Sequence, residues 1–125
     1  MKIRIRGDSI RLRLSQSEVS KIAMGEFVEE ATKFPQGEKF IYRLETSPTQ
    51  TSVGACFVDH QMVVSVPQKE AVEWADSETV AMKAERSGLF ILIEKDFACL
   101  KPRENENEDE SDLFANPNQA HGNCR

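Results

Sequence analysis

The chain has 125 residues, of which 39% are hydrophobic, 30% charged and 7% aromatic. That length suits one ordinary domain or two very small halves, and it is too short for a barrel enzyme or a doubly wound nucleotide fold. With 16 basic against 21 acidic residues the formal net charge is −5, which disfavours a bulk electrostatic clamp for nucleic acid or anionic lipid and leaves room only for a local basic patch.

In chain order, Ile3 and Ile5 alternate with Lys2, Arg4 and Arg6, and after Gly7-Asp8-Ser9 the residues Ile10, Leu12 and Leu14 alternate with Arg11 and Arg13. Period-two alternation on both sides of a Gly-Asp turn predicts a β-hairpin with one buried face. Ser15-Gln16-Ser17-Glu18 is a capping-box pattern, so a short helix begins there, with Val19, Ile22 and Ala23 on its apolar side, and stops near Gly25. Residues 27–34 then read as a strand, 35–37 as a turn and 39–45 as a fourth strand.

Displaced by 52 residues, the same pattern returns. Ile10, Leu12 and Leu14 fall on Met62, Val64 and Val66, and Ser15-Gln16 falls on Pro67-Gln68, another favoured way to begin a helix. Val19, Ile22 and Ala23 fall on Ala71, Trp74 and Ala75, and Val28 falls on Val80. The second unit closes with the turn 86–88 and the strand 89–95, after a hairpin loop one residue shorter. Each copy therefore reads strand, strand, short helix, strand, strand, over residues 1–46 and 53–96. A unit of this size cannot bury a core alone. The two copies are expected to complete one another as one β-rich α+β domain over residues 1–98, a barrel-like pseudo-dimer without exposed sheet edges.

Two resemblances follow from particular residues. The stretch from His60 through Gln61-Met62-Val63-Val64-Ser65-Val66-Pro67 to Trp74 resembles the strand–Pro–short helix signature of AbrB-type swapped-hairpin barrels. That resemblance implies interleaved hairpins and a DNA-binding regulator, yet Gln68, Glu70 and Glu73 stand where the family's helix is basic, with Lys69 the one cation. The opening Lys2-Ile3-Arg4-Ile5-Arg6-Gly7-Asp8-Ser9 and the segment Glu94-Lys95-Asp96-Phe97-Ala98-Cys99-Leu100-Lys101-Pro102-Arg103, together with the acidic run 108–112 and Asn116-Pro117-Asn118, resemble an uncharacterised family of small bacterial proteins. This second resemblance implies a bacterial cytoplasmic protein and no particular activity.

Three constellations could carry chemistry. If the first hairpin buries its aliphatic face, Lys2, Arg4, Arg6, Arg11 and Arg13 share the other, as a nucleic-acid or anion surface or as a solvated face paired with acids such as Glu26, Glu29, Glu30 and Glu45. No aromatic lies between these arginines to stack on bases. Cys99, His121 and Cys124 are compatible with a clamp for zinc or another soft divalent metal, completed by water or by a carboxylate such as Asp109 or Asp112, although structural zinc sites usually show two close pairs. Cys56, in the apolar run 55–58, reads as a buried inert thiol, and His60 as a solvated turn residue. Trp74, Phe40 and Tyr42 read as packing residues. No phosphate loop, zincin motif or nucleophile elbow occurs, which disfavours an enzyme of common motif class and leaves no cofactor expected beyond that candidate zinc.

Charge is divided unevenly. Residues 1–46 hold nine basic and seven acidic residues, 47–96 four and eight, and 97–125 three and six, so any positive surface lies in the first third. Residues 99–125 read as an acidic, irregular tail, with no apolar period through 101–112. Three cysteines are too few, and odd in number, for a secreted disulfide scaffold. The charged start offers no apolar core for a signal peptide, and the longest apolar run, 89–93, is far short of a membrane span. The expectation is a cytoplasmic, non-enzymatic binding or regulatory module with a protein partner and no membrane contact. An AbrB-like DNA-binding regulator and a small metalloprotein are the alternatives.

Overall fold

A computed structural model describes residues 1–97. Its elements run β1 (Lys2–Arg6), β2 (Ser9–Leu14), α1 (Gln16–Ala23), β3 (Val28–Lys33), β4 (Lys39–Ser47), β5 (Gly54–Val58), β6 (Gln61–Pro67), α2 (Gln68–Asp76), β7 (Ala81–Arg86) and β8 (Leu89–Lys95). The order strand, strand, helix, strand, strand occurs twice, as the repeat predicts.

The hairpins are exchanged between the two units. One sheet has the order β1-β2-β8-β7 and the other β3-β4-β6-β5. Each therefore joins one antiparallel hairpin from each unit through a parallel central pair. In the first sheet Ile10 lies opposite Ile91 and Leu12 opposite Ile93; in the second Leu44 lies opposite Val64. These residues, with Leu14, Val66, Val19, Ile22, Ala71 and Trp74, form one core to which both sheets and both helices contribute. Phe40 and Tyr42 pack on its margin.

The expected barrel closure does not occur among the described residues. The parallel pair at the centre of each sheet consumes the inner edges of both hairpins and leaves β1, β7, β3 and β5 as edges. Charges on β1, β7 and β3 guard three of those edges against pairing with other chains, so closure is not required to prevent it.

The repeat also drifts after the helix. Val28 lies opposite Leu44, and the residue opposite the corresponding Ile93 is Met82. Met82 is buried, whereas Val80, its expected counterpart, is 47% exposed. The loop after β3 spans residues 34–38 and the one after β7 only residues 87–88, a larger contraction than the single residue expected.

Local chemistry starts the first helix. The Glu18 amide donates to Ser15 Oγ at 3.4 Å and the Ser15 amide donates to Glu18 Oε1 at 2.9 Å, a complete capping box. Ser15→Ala should cost about 1 kcal/mol of stability, read from the urea midpoint. The second helix has Pro67 at its start and no side-chain cap.

Glu18 also receives the Met1 ammonium, which donates to Glu30 as well at 3.1 Å. Burial pushes the Glu18 carboxyl up, but the ammonium and the Ser15 donors outweigh it and hold the group below its ordinary 4.5. Burial likewise opposes the Met1 ammonium, and the two carboxylates overcome it, holding the group above 8.0. A depressed acid stabilises the fold above its unfolded pKa and loses that contribution as pH falls through the folded value; a raised base stabilises it below its unfolded pKa and loses that as pH rises through the folded value. Stability should therefore be highest between pH 4.5 and 8.0 and fall on both sides. Urea unfolding followed from below pH 4.5 to above pH 8.0 should give a flatter profile for Glu18→Gln than for the unsubstituted chain.

Candidate anion-binding groove

The alternation of β1 and β2 sends Ile3, Ile10, Leu12 and Leu14 to the core and all five predicted cations to the outer face of the first sheet. Their register is specific: Lys2 lies opposite Arg13, Arg4 opposite Arg11, and Arg6 opposite Ser9. Like charges directly across a strand pair are unfavourable, so something must offset this ladder.

At one end the offset comes from β8 and the residue after it. Arg13 Nε donates to Glu94 Oε1 at 2.6 Å, Arg11 Nε lies 3.5 Å from the same oxygen, and Lys2 Nζ is 2.9 Å from Asp96 Oδ2. Arg13 is buried, at 9% exposure. The expected pairing of this face with Glu26, Glu29, Glu30 and Glu45 is thereby corrected. Glu29 and Glu45 hold Arg43 of the second sheet, at 3.5 and 2.9 Å, and Glu30 holds the Met1 ammonium. Hairpin exchange is the cause, because it places the end of β8 beside β2.

At the other end the face opens into a groove of about 410 Å³, lined by Arg4, Arg6, Arg11, Lys83, Phe90 and Leu92 with Ser9 and Ile10. Cations rim it and apolar side chains floor it, with Phe90 48% exposed. Lys83, Phe90 and Leu92 come from the other unit and escape a reading confined to the first hairpin. Their signal lies in the unbroken apolar run 89–93. A strand alternates faces, so if Leu89, Ile91 and Ile93 face the core, Phe90 and Leu92 must face outward.

The second sheet serves as an internal control. Where the first copy has Lys2, Arg4, Arg6, Arg11 and Arg13, the second has Gly54, Cys56, Val58, Val63 and Ser65. Its nearby cation, Arg43, is stacked 3.6 Å over the Phe27 ring and bonded to Glu45. The same scaffold therefore forms without a cation ladder.

Other expectations resolve as follows. Cys56 is exposed rather than buried, because β5 is an edge strand and Cys56 faces outward opposite Val63. His60 sits in the β5–β6 turn with φ of 64°, its Nδ1 3.4 Å from Glu38. Trp74 is buried, and its indole N–H donates to the Val80 carbonyl at 3.1 Å. Cys99, His121 and Cys124, with Asp109 and Asp112, lie outside the described residues. Among the described residues no group of three His, Cys, Asp or Glu could hold a metal ion.

Fold and groove together define a small α+β protein of two like units with exchanged hairpins, one outer sheet face carrying a cation ladder beside an apolar floor. The chain belongs to a family of unknown function, DUF7009, whose model matches residues 1–118, in agreement with the resemblance to an uncharacterised family. No curated protein and no solved structure matches it. The resemblance to AbrB-type proteins rests on element order alone. Among the described residues no helix is long and apolar enough to cross a membrane.

Proposed function

We propose that this is a non-enzymatic binding module of the cytoplasm, and that its ligand is an anion carrying an apolar group, held in the groove of the first sheet. The observation that carries this reading is the asymmetry between copies. The unfavourable pairing of Arg4 with Arg11 is present in one sheet and absent from its counterpart, so the fold does not require it. Lys83 adds a further cation from the other unit, beside a partly exposed phenyl ring. A carboxylate, sulfonate or phosphate on an apolar body matches both halves of this lining.

Duplex DNA fits less well. Glu94 and Asp96 already engage Arg13, Arg11 and Lys2, the net charge is negative, and an apolar floor does not serve a phosphate backbone.

Anilinonaphthalene sulfonate, an aromatic body bearing one sulfonate, is a suitable probe. Its fluorescence titration should give saturable binding that weakens at least ~10-fold in Arg6→Glu and in Lys83→Glu, a loss of roughly 1.4 kcal/mol. Binding unaffected by either substitution would remove the groove as the site. Labelled random duplex DNA run in parallel should bind negligibly; a salt-dependent affinity abolished by Arg4/Arg6/Arg11/Arg13→Ala would establish the DNA reading instead.

A further inference from the structure

The acidic stretch after the described residues carries no apolar period, but its charge has one. Glu104, Glu106, Glu108, Glu110 and Asp112 occupy every second position, and Phe114 continues the series. In an extended segment these six side chains fall on one side, spaced as Lys2, Arg4 and Arg6 are along β1, because both follow the two-residue repeat of extended backbone. Only Asp109 among the acids of this stretch breaks the alternation.

From this match we infer that the segment 104–114 of the same chain enters the basic groove with its end extended, the Glu110 and Asp112 carboxylates on the cations and Phe114 on the Phe90–Leu92 floor. The inference rests on the groove reading above and identifies the groove's resident occupant.

The exit point of the chain permits it. The Asp96 amide donates to the Leu14 carbonyl at 2.9 Å and its carboxylate pairs with Lys2, so the backbone leaves the sheet at the Lys2 end of the face. Arg6 lies four residues along β1, roughly 13 Å away at the strand rise. The 13 steps from Phe97 to Glu110 reach up to about 45 Å, so Glu110, Asp112 and Phe114 can follow in turn along the Lys2, Arg4 and Arg6 rows. Order agrees as well as length. A segment running from the Lys2 end meets the cations first and then the row containing Arg6, Ser9 and Phe90, just as its acids precede Phe114. A tethered segment of this kind acts at millimolar effective concentration, so even a weak contact holds the groove against free ligands.

The test uses the full chain. Changing the glutamates at 104, 106, 108 and 110 to Gln, and Asp109 and Asp112 to Asn, removes the charge without shortening the protein. If the segment occupies the groove, this variant should bind anilinonaphthalene sulfonate at least ~10-fold more tightly than the unsubstituted chain, and Arg6→Glu should abolish the gain. An unchanged affinity that still responds to Arg6→Glu overturns this inference and leaves the groove reading intact. An affinity that ignores Arg6→Glu in both backgrounds overturns both. Carbodiimide cross-linking of mixed heavy- and light-isotope chains should join Lys83 to carboxylates of residues 104–112 within single chains. Cross-links joining heavy to light chains would assign the groove to the tail of a second copy, and the absence of any cross-link between Lys83 and these carboxylates would exclude the tail from it.

Discussion

Leu12→Ala should lower the unfolding free energy by about 2–5 kcal/mol and do so in a single cooperative transition. Leu12 has no solvent exposure and stands between Ile3 of β1 and Ile93 of β8, at the seam where the two units meet. Truncating it removes buried methyl groups and opens a cavity in the central parallel pair of strands, which have little freedom to close over it. Hairpin exchange sets the form of the transition. The first sheet takes β1 and β2 from one unit and β7 and β8 from the other, and the second sheet mixes them in the same way. Neither unit has a sheet of its own to retreat to. The urea midpoint should fall while the slope stays constant, and circular dichroism and tryptophan fluorescence should report one curve, although Trp74 belongs to the second unit and Leu12 to the first. Two separated transitions would show that the copies fold independently, against the topology described here.

The parts of this architecture that are legible in the sequence are those determined by neighbours along the chain. Alternation in 2–6 and 10–14, the Ser15–Glu18 box and the Gly7-Asp8 turn locate β1, β2 and α1 almost to the residue, because each depends on contacts a few positions away. The parallel junctions are different. Arg13 and Glu94 are 81 residues apart, and a period-two pattern states which face a side chain takes without stating which strand lies beside it. For that reason the five cations are legible as a set while their neutralising acids are not. The aliphatic repeat is legible through the helix, then loses register, since the second copy is two residues longer before Met82 and shorter in the hairpin loop that follows, changes that leave the core intact. Val80 resembles Val28 in sequence, but Met82 fills its place because pairing to Ile93 decides the position. Cys56 shows the same limit: an apolar neighbourhood in sequence does not distinguish an edge strand from a central one.

Glu94→Ala should destabilise the protein by about 3 kcal/mol, well beyond the effect of removing an exposed cation of the same face such as Arg6, for which a few tenths of a kcal/mol is expected. The Glu94 side chain is 13% exposed and that of Arg13 10%, so the pair has already lost most of its hydration, and one carboxylate oxygen serves both Arg13 and Arg11. Removing the acid does more than delete one contact. It leaves two guanidiniums on a face where Arg4 stands directly opposite Arg11 and Lys2 opposite Arg13, so the repulsion of the ladder is no longer balanced at its buried end. Added salt should recover little of the loss, because the affected charges are largely shielded from solvent ions. Adding Arg13→Ala to Glu94→Ala should recover part of the stability lost, which a double-mutant cycle in urea would record as a coupling of roughly 1–3 kcal/mol. Strict additivity of the two substitutions would mean that Glu94 supports the sheet through packing and not through charge. Measured with the sulfonate probe, Glu94→Ala should also tighten groove binding, because Arg11 then gives up its internal carboxylate and turns to the ligand. A loss of stability accompanied by a gain in anion affinity is the combination that a structural acid placed at the rim of a binding groove should produce.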